Sequence, residues 1–482
     1  MTMPPTGTDA ATGAVTSAVP DAAPDPAPGL APDLAPDSVT SAVPDAAPDS
    51  VTEVIVVGAG VIGASVALEL AKLGLRVTVV DKAGGVGHGS TSASSAIVRF
   101  NYSTRDGVAT AWESQHCWER WPDHLGFRDP AGPARFHRAG MAMLDVPVAP
   151  RERMTRLFDR VGVPYEEWEP ATLAARIPGI DPGRYWPPRP VDDDRFFDDA
   201  RGAVGALYTP DAGYVDDPQL AAQNLAAAAA HRGARFVLNR AVTRIHTRGD
   251  RVGGVTLSDG TRLTAPVLVN AAGPWSGALN RLAGVGAEFT VGVRPMRQEV
   301  HQVTAPASWT RPGETRPAVA DMDLGTYLRP APGGRLLVGG TEPACDPFDW
   351  VEDPDTARPH ATASRFRAQV TRAARRLTDL TVPNTPSGIA GVYDVADDWT
   401  PIYDRTDLDG FYVAMGTSGN QFKNAPLAGR FIAALVAGVE AGHDHDAEPL
   451  SYHCEHTGHV IGLAAFSRKR PVNADSSGSV LG

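Results

Sequence analysis

The sequence predicts an α/β protein in which a doubly wound parallel sheet is interleaved with an α+β domain built on an antiparallel sheet. Three observations support this prediction: a strand–helix–strand pattern at 54–81, alternating strands within 290–385, and a second strand–glycine–helix unit at 411–440. The length of 482 residues exceeds that of a usual single domain, and the hydrophobic content of 43% is ample for globular packing. Two interleaved domains are therefore expected.

Residues 1–50 consist mainly of Pro, Ala, Asp, Ser and Thr, and they offer almost nothing to bury. The stretch VTSAVPDAAPD occurs twice, at 15–25 and at 39–49. Because so polar a segment cannot offset the entropy of ordering, we expect a disordered acidic leader; the alternative is a docking motif. The first residues lack the basic and apolar regions of a secretory signal, and no apolar run is long enough to cross a bilayer.

The net charge and the cysteine content narrow the range of possible partners and cellular settings. The net charge of −12 argues against binding of a nucleic-acid backbone, which requires clustered cations. The three cysteines, Cys117, Cys345 and Cys454, form neither a metal-type pair nor a disulfide framework, which favours a reduced, cytoplasmic setting. We expect a small-molecule substrate and neither a nucleic-acid nor a membrane partner.

The segment VIVVGAGVIGASVALELAKLGLRVTVVD carries three glycines between a buried strand and an amphipathic helix. Gly58 permits a tight turn, Gly60 allows the backbone to approach a pyrophosphate, and Gly63 allows the helix to pack closely on the strand. Asp81 ends the second strand, where its carboxylate can accept the ribose hydroxyls. This context predicts a Rossmann-like unit that binds the ADP part of a dinucleotide, with further contacts from Val61, Ile62 and Lys82.

The fingerprint alone does not distinguish NAD from FAD, but two later strands also end in glycine. VLVNAAGPW ends near Gly273, and FYVAMGTSGNQF leads from Gly416 into a helix that starts near Ala425. Backbone amides at such glycines can approach a planar ring, and a helix N-terminus stabilises an anionic reduced flavin, so FAD is predicted. The remaining predicted cofactor-binding residues are Ser90, Thr91, Ser92, Val242, Ala272, Gly273, Trp275, Gly391, Gly416, Ser418, Gly419, Asn420, Gln421 and Phe422.

The predicted domain division follows these patterns. The FAD-binding domain is assigned to 51–145, 205–290 and 385–440, and the substrate domain to 146–204 and 291–384. Residues 441–482 are assigned to a C-terminal tail.

Five segments in combination resemble the sarcosine oxidase and D-amino-acid oxidase superfamily. They are the glycine fingerprint, GSTSASSAIVRFNY (89–102), LVNAAGPW (268–275), GVYDVADDWTPIYD (391–404) and GTSGNQFKNAP (416–426). The likeness is greatest to the sarcosine oxidase and dimethylglycine dehydrogenase branch, and it runs in order from about residue 52 to 440. The resemblance implies FAD binding and oxidation of a C–N bond next to a carboxylate, with a hydride equivalent transferred to flavin N5.

The resemblance also implies roles for three residues. Arg99 lies where the family places a guanidinium on the substrate carboxylate, Lys423 matches a second cation on that carboxylate, and Tyr393 matches a tyrosine that borders the substrate. A guanidinium and an ammonium together provide a fixed clamp for an anion. The structural alternatives are a surface ion pair for Arg99, a turn cap for Lys423 and an ordinary core position for Tyr393.

Departures from the family pattern bear on the flavin and its reoxidation. Gly391 and Ala93 stand where family members carry a cysteine or a histidine that tethers the flavin, so non-covalent FAD is expected, with His88 as an alternative tether. Leu337 aligns with a lysine that promotes reaction with oxygen. The electron acceptor is therefore left as oxygen or an unknown acceptor, and oxidase and dehydrogenase both remain open.

The predicted activity is oxidation of a small secondary or N-methylated amino acid, resembling sarcosine, to an imine. The alternatives are oxidation of a 2-hydroxy acid on the same fold and a flavin-binding subunit without catalysis. No metal is predicted, because the histidine-rich segment 443–459 matches no ordered ligand spacing and the acidic run 192–199 is typical of a solvated loop.

Overall fold

A computed structural model describes residues 52–310 and 315–480, so the predicted leader and its repeat lie outside the described residues. No helix in this part of the chain is both long and apolar enough to span a bilayer. In chain order, the α-helices of the described residues are α1 (Val61–Lys72), α2 (Arg105–Glu119), α3 (Trp121–Leu125), α4 (Arg151–Val161), α5 (Pro170–Arg176), α6 (Pro218–His231), α7 (Ser276–Ala283), α8 (Ala363–Arg376) and α9 (Ala425–Glu440).

The strands of the same residues form several sheets. In chain order they are β1 (Val54–Val57), β2 (Val77–Val80), β3 (Ile97–Val98), β4 (Phe136–His137), β5 (Met141–Leu144), β6 (Glu166–Trp168), β7 (Ala206–Thr209), β8 (Gly213–Val215), β9 (Arg235–Val237), β10 (Val242–Arg248), β11 (Arg251–Leu257), β12 (Arg262–Leu263), β13 (Val267–Asn270), β14 (Val293–Thr304), β15 (Ala318–Asp321), β16 (Thr326–Ala331), β17 (Arg335–Gly340), β18 (Asp349–Trp350), β19 (Gly388–Ala396), β20 (Ile402–Arg405), β21 (Phe411–Met415), β22 (Ser451–His453) and β23 (Val460–Gly462).

A six-stranded sheet has the order β20-β21-β13-β1-β2-β9, parallel except for the edge strand β20. Its central strands are continuous apolar runs because both faces are covered. Val54 and Val56 pack on the side of α1, α6 and α9. Ile55 and Val57 pack with Ile245 and with the other apolar residues of β10 and β11. One face of the sheet is thus covered by helices and the other by the three-stranded β10-β11-β12 sheet.

The second large sheet has nine strands, in the order β18-β14-β17-β16-β15-β5-β7-β6, with β19 also paired to β14. Its pairs are antiparallel except for β15 with β5. The predicted strands HQVTAP, GTYLRP and RLLVGG fall in or beside β14, β16 and β17. Apolar side chains on one face of this sheet and of α8 form a separate core.

These two sheets confirm the predicted fold class. The exact domain boundaries stay a prediction. Strands β5, β7 and β19 pair within the nine-stranded sheet, although the sequence division groups their residues with the cofactor-binding stretches. The chain therefore crosses between the two sheets at these strands, and β19 ends beside the edge of the parallel sheet.

The turn between β1 and α1 depends on glycine. Gly58 has φ +112°, and an added Cβ would lie 2.2 Å from the Ala271 carbonyl oxygen. A Cβ on Gly63 would lie 1.9 Å from the Gly58 carbonyl oxygen. Both clashes are with backbone atoms, so only glycine allows α1, β1 and β13 to pack this closely.

Gly63→Ala should lower the free energy of unfolding by about 1–3 kcal/mol, because the backbone of the turn would have to move to accommodate the methyl group. Urea unfolding followed by circular dichroism measures this change. Gly277→Ala in α7 is the control and should leave stability unchanged or slightly raised, since the nearest atom to its Cβ is 3.7 Å away. Equal stability of the two variants would contradict the close packing of α1 on the turn.

Candidate active site

A cavity of about 390 Å³ lies at the carboxyl ends of β1, β2 and β13, which is where open parallel sheets bind ligands. The Gly60 and Thr91 region forms its floor, and the Thr91 hydroxyl accepts a hydrogen bond from the Val61 N–H at the start of α1 (3.0 Å). The predicted cofactor-binding residues that line this cavity are Gly58, Gly60, Val61, Ile62, Asp81, Lys82, Ser90, Thr91, Val242, Ala272, Gly273, Trp275, Gly419, Gln421 and Phe422.

Asp81 stands at the end of β2, on the wall of this cavity. One carboxylate oxygen accepts from the Ala59 N–H (2.6 Å) and the other from the Ala83 N–H (2.7 Å). These two bonds fix the carboxylate beside the glycine turn. At the rim, the Lys82 ammonium lies 4.1 Å from the centroid of the Trp275 ring and forms an ion pair with Asp355.

A second cavity of about 60 Å³ adjoins the first, and both are lined by Ser94, Tyr393, Gly419 and Phe422. It also contains the other two residues that the sequence assigned to the substrate, Arg99 and Lys423. The chain therefore brings together Arg99, Tyr393 and Lys423 at a small cavity that opens beside the larger one.

Arg99 is buried, with 5% of its surface exposed, which rules out a surface ion pair. Its guanidinium donates to the carbonyl oxygens of Asn101 and Val480. Burial lowers its pKa, although Tyr102, Glu342 and Tyr393 act in the opposite direction. A buried guanidinium that is bonded to neutral carbonyls retains a strong preference for an anion.

Lys423 is also buried, with 2% of its surface exposed. Its ammonium donates to the Asn420 carbonyl (2.5 Å) and lies 4.7 Å from the centroid of the Tyr102 ring. Burial and then the charge of Arg99 hold the pKa of Lys423 well below its usual range. In the described residues, neither Lys423 nor Arg99 hydrogen-bonds to a carboxylate.

Tyr393 lies on β19 and forms part of the wall between the cavities. A Cβ on Gly419, which has φ +66°, would lie 2.2 Å from the Tyr393 ring. The ring therefore needs glycine opposite it. Burial raises the pKa of the Tyr393 hydroxyl well above its usual range, so the phenol is neutral.

Some predicted positions lie outside the larger cavity. Asn420 lines the smaller cavity instead. Ser418 accepts from the Ala396 N–H (3.1 Å), and an added Cβ on Gly391 would lie 2.8 Å from the Ala93 Cβ. The predicted positions that line neither cavity are Gly63, Ser92, Gly391, Gly416 and Ser418.

A family model described as FAD dependent oxidoreductase matches residues 53–435, which is most of the chain. The chain belongs to the FAD-dependent oxidoreductase family. This membership confirms the resemblance found in the sequence, and with it FAD as the cofactor and an enzymatic oxidoreductase role.

Two curated proteins of this family match this chain over most of its length and over most of their own. Glycine oxidase of Geobacillus kaustophilus (strain HTA426) is 27% identical over 400 residues, which are 81% of this chain and 94% of that protein. Sarcosine oxidase subunit beta of Arthrobacter sp is 26% identical over 421 residues, which are 85% and 92% of the two chains. The solved structure of L-proline dehydrogenase from P. horikoshii, at 21% identity, covers 87% of this chain and 98% of its own with a TM-score of 0.68, which shows the shared fold.

The larger cavity fits the flavin of this family. Gly89 and Gly273 line it, and an added Cβ on either would meet no atom within 4 Å, so both leave space open at the wall. The cavity also combines a glycine turn at a helix N-terminus with a carboxylate at the end of β2, the donor and acceptor set that a dinucleotide requires.

Several residues that line the smaller cavity were not predicted. Thr341 and Val480 come from distant segments with no shared sequence motif, whereas Ser94 lies in the quoted 89–102 segment and could have been found. Tyr102, in the quoted AIVRFNY segment, could have been found: its hydroxyl donates to the Asn420 carbonyl (2.8 Å) and accepts from the Asn424 amide (3.0 Å). It thereby holds the 420–424 turn that carries Lys423.

Leu337, which the sequence aligned with an oxygen-promoting lysine, lies on β17. It pairs with Gln302 of β14 and Arg329 of β16 and lines neither cavity. The histidine-rich segment bonds to separate partners: the His456 ring to Glu113 (2.9 Å) and the His459 ring to the Val161 carbonyl (2.7 Å). Among residues 52–310 and 315–480, no group of three or more His, Cys, Asp or Glu is arranged to hold a metal ion.

Proposed function

We propose that this chain oxidises the C–N bond of a small secondary or N-methylated amino acid, such as N-methylglycine, to an imine that water hydrolyses. The burial of Arg99 and Lys423 beside one small cavity is the observation that carries this proposal. Two desolvated cations near one another are unfavourable until an anion arrives, and a substrate carboxylate supplies that anion.

Each of the three residues has a part in positioning. The Arg99 guanidinium can donate two parallel hydrogen bonds to the carboxylate, and the Lys423 ammonium adds a second positive charge. A carboxylate at this place favours the protonated form of Lys423, whose pKa is lowered in its absence. Tyr393, on the shared wall, limits how the substrate can turn toward the larger cavity.

Bound FAD supplies the acceptor for the two electrons that leave the C–N bond. We assign the turn at Gly58–Gly63 to the pyrophosphate, Asp81 and Lys82 to the ribose side, and the 416–422 segment to the ring. Support for amine chemistry comes from the names of the relatives, glycine oxidase and sarcosine oxidase subunit beta. The small size of the substrate cavity favours a small amino acid.

Non-covalent FAD remains part of the proposal, as do an undetermined electron acceptor and a cytoplasmic location. We expect acid precipitation of the purified protein to release all of its flavin into the supernatant, because Ala93 and Gly391 offer no atom that can form a bond to the ring. Absorbance of the supernatant and of the redissolved pellet measures the partition. Flavin retained in the pellet would contradict this prediction, and a His88→Ala variant would then test His88 as the tether.

Arg99→Ala and Lys423→Ala should each retain FAD but lower kcat/KM for the amino acid about ten- to a hundredfold. A hydrogen bond between a buried cation and a carboxylate contributes about 1.5–3 kcal/mol, which corresponds to that range. Arg99→Lys should restore only part of the rate, because an ammonium cannot form the paired hydrogen bonds of a guanidinium. Anaerobic stopped-flow reduction of the flavin measures each rate.

The methyl ester of the same amino acid distinguishes loss of the contact from general damage. Esterification should slow wild type far more than either variant, since each variant has already lost a partner of the carboxylate. Arg329→Ala is the matched control, because it removes a buried guanidinium that lines neither cavity, and it should show the wild-type ester penalty. Equal ester penalties in wild type, Arg99→Ala and Lys423→Ala would refute the carboxylate clamp.

A further inference from the structure

The backbone of Val480 lies at the smaller cavity and bonds to charged side chains at both of its ends. Its carbonyl oxygen accepts a hydrogen bond from the Arg99 guanidinium. Its N–H donates to a carboxylate oxygen of Glu342 (3.2 Å). One residue of the chain is therefore held between a buried cation and a carboxylate.

The atoms N, Cα and C=O of Val480 are the skeleton of an α-amino acid. Arg99, the residue assigned to the substrate carboxylate, receives the carbonyl end. Glu342 receives the nitrogen end, as a carboxylate that binds a substrate amine would. Arg99 and Glu342 therefore lie as far apart as the carbonyl and the N–H of one residue, so they can bind the carboxylate and the amine of a single amino acid.

Glu342 has other features of a ligand-binding residue. It follows β17 with φ +52°, a left-handed conformation that non-glycine residues adopt rarely. Gln298 donates to its other carboxylate oxygen (3.0 Å), which fixes its orientation. Burial raises the pKa of Glu342 to about 8, even though Arg99 and the Val480 N–H favour its ionised form. A substrate ammonium would complete the charge balance of this carboxylate.

The segment that carries Val480 is attached to the protein through polar contacts. The Asn473 side chain donates to the Ser103 hydroxyl (2.8 Å), and Asp475 pairs with Arg153 (3.1 Å). The Val480 side chain packs against a small apolar cluster that includes Trp399. These contacts are all non-covalent, and they hold the Val480 backbone at the cavity.

We propose that Glu342 binds the amino group of the substrate, and that the Val480 backbone occupies this position until the substrate displaces it. This inference rests on the proposed function and adds the residue that distinguishes an amino acid from other small carboxylates.

The test compares binding of two probes to the full chain loaded with reduced FAD, by anaerobic isothermal titration calorimetry, so that N-methylglycine binds without being oxidised. N-methylglycine and methoxyacetate have nearly the same shape and the same carboxylate, but only the first has an ammonium group. Glu342→Gln keeps the size and hydrogen-bonding oxygen of the side chain and removes its charge. The substitution should raise the Kd of N-methylglycine about tenfold or more and change the Kd of methoxyacetate less than about twofold.

The outcomes separate this inference from the function beneath it. If both probes bind wild type and Glu342→Gln affects them equally or not at all, Glu342 does not recognise the amine, while the carboxylate clamp stands. If neither probe binds wild type or a chain ending at Ser476, the amino-acid site itself is wrong and the inference falls with it.

Displacement of Val480 has its own test. A chain ending at Ser476 should bind both probes several-fold more tightly than the full chain, because it lacks the competing backbone. If this chain melts at a lower temperature, Val480→Pro, which removes the N–H that Glu342 accepts together with the valine side chain, is measured in its place, with Val480→Ala as the control that keeps the N–H. Unchanged affinity for both probes would show that Val480 does not compete with the substrate.

Discussion

Burial of two cations beside one cavity is the constraint on which the candidate site depends. Arg99 and Lys423 have lost most of their hydration, and in the described structure they bond to carbonyl oxygens, which offset only part of that loss. Desolvation lowers the pKa of both, and the charge of Arg99 lowers the pKa of Lys423 further. An anionic ligand reverses this imbalance, which is why an anion-binding role explains the arrangement better than a purely structural one.

Lys423 and Tyr393 lie at the junction of the two large sheets. Lys423 follows the parallel strand β21, and Tyr393 belongs to β19 of the nine-stranded sheet. The Trp118 indole on α2 donates to the Lys423 carbonyl (2.7 Å), which ties the turn to the helical layer. Because Tyr393 needs glycine at 419, the larger and smaller cavities share one wall of fixed shape.

The sequence predicted well what local geometry controls. The tight turn expected at Gly58 and the close helix packing expected at Gly63 agree with the backbone there, because both requirements come from a short strand–turn–helix unit. Arg99 and Lys423 came from the family resemblance, and the fold brings them to one cavity. Glu342 and Val480 were missed because they follow segments far apart in the chain, and no periodicity or spacing links them to Arg99. The covering of the parallel sheet by β10 and β11 was likewise not predicted, since the alternation of apolar residues in a strand does not reveal which element the strand packs against.

The most direct measurement of the central claim is anaerobic mixing of the FAD-loaded protein with N-methylglycine and, separately, with glycolate, while the flavin absorption band is followed. Both molecules present a carboxylate to Arg99 and Lys423, but only N-methylglycine offers a C–N bond for oxidation. Oxidation of an N-methylated amino acid predicts saturable loss of the band with N-methylglycine and no reaction with glycolate. Loss of the band with glycolate alone, or with neither compound nor any related N-methylated amino acid, would contradict the proposed amine chemistry.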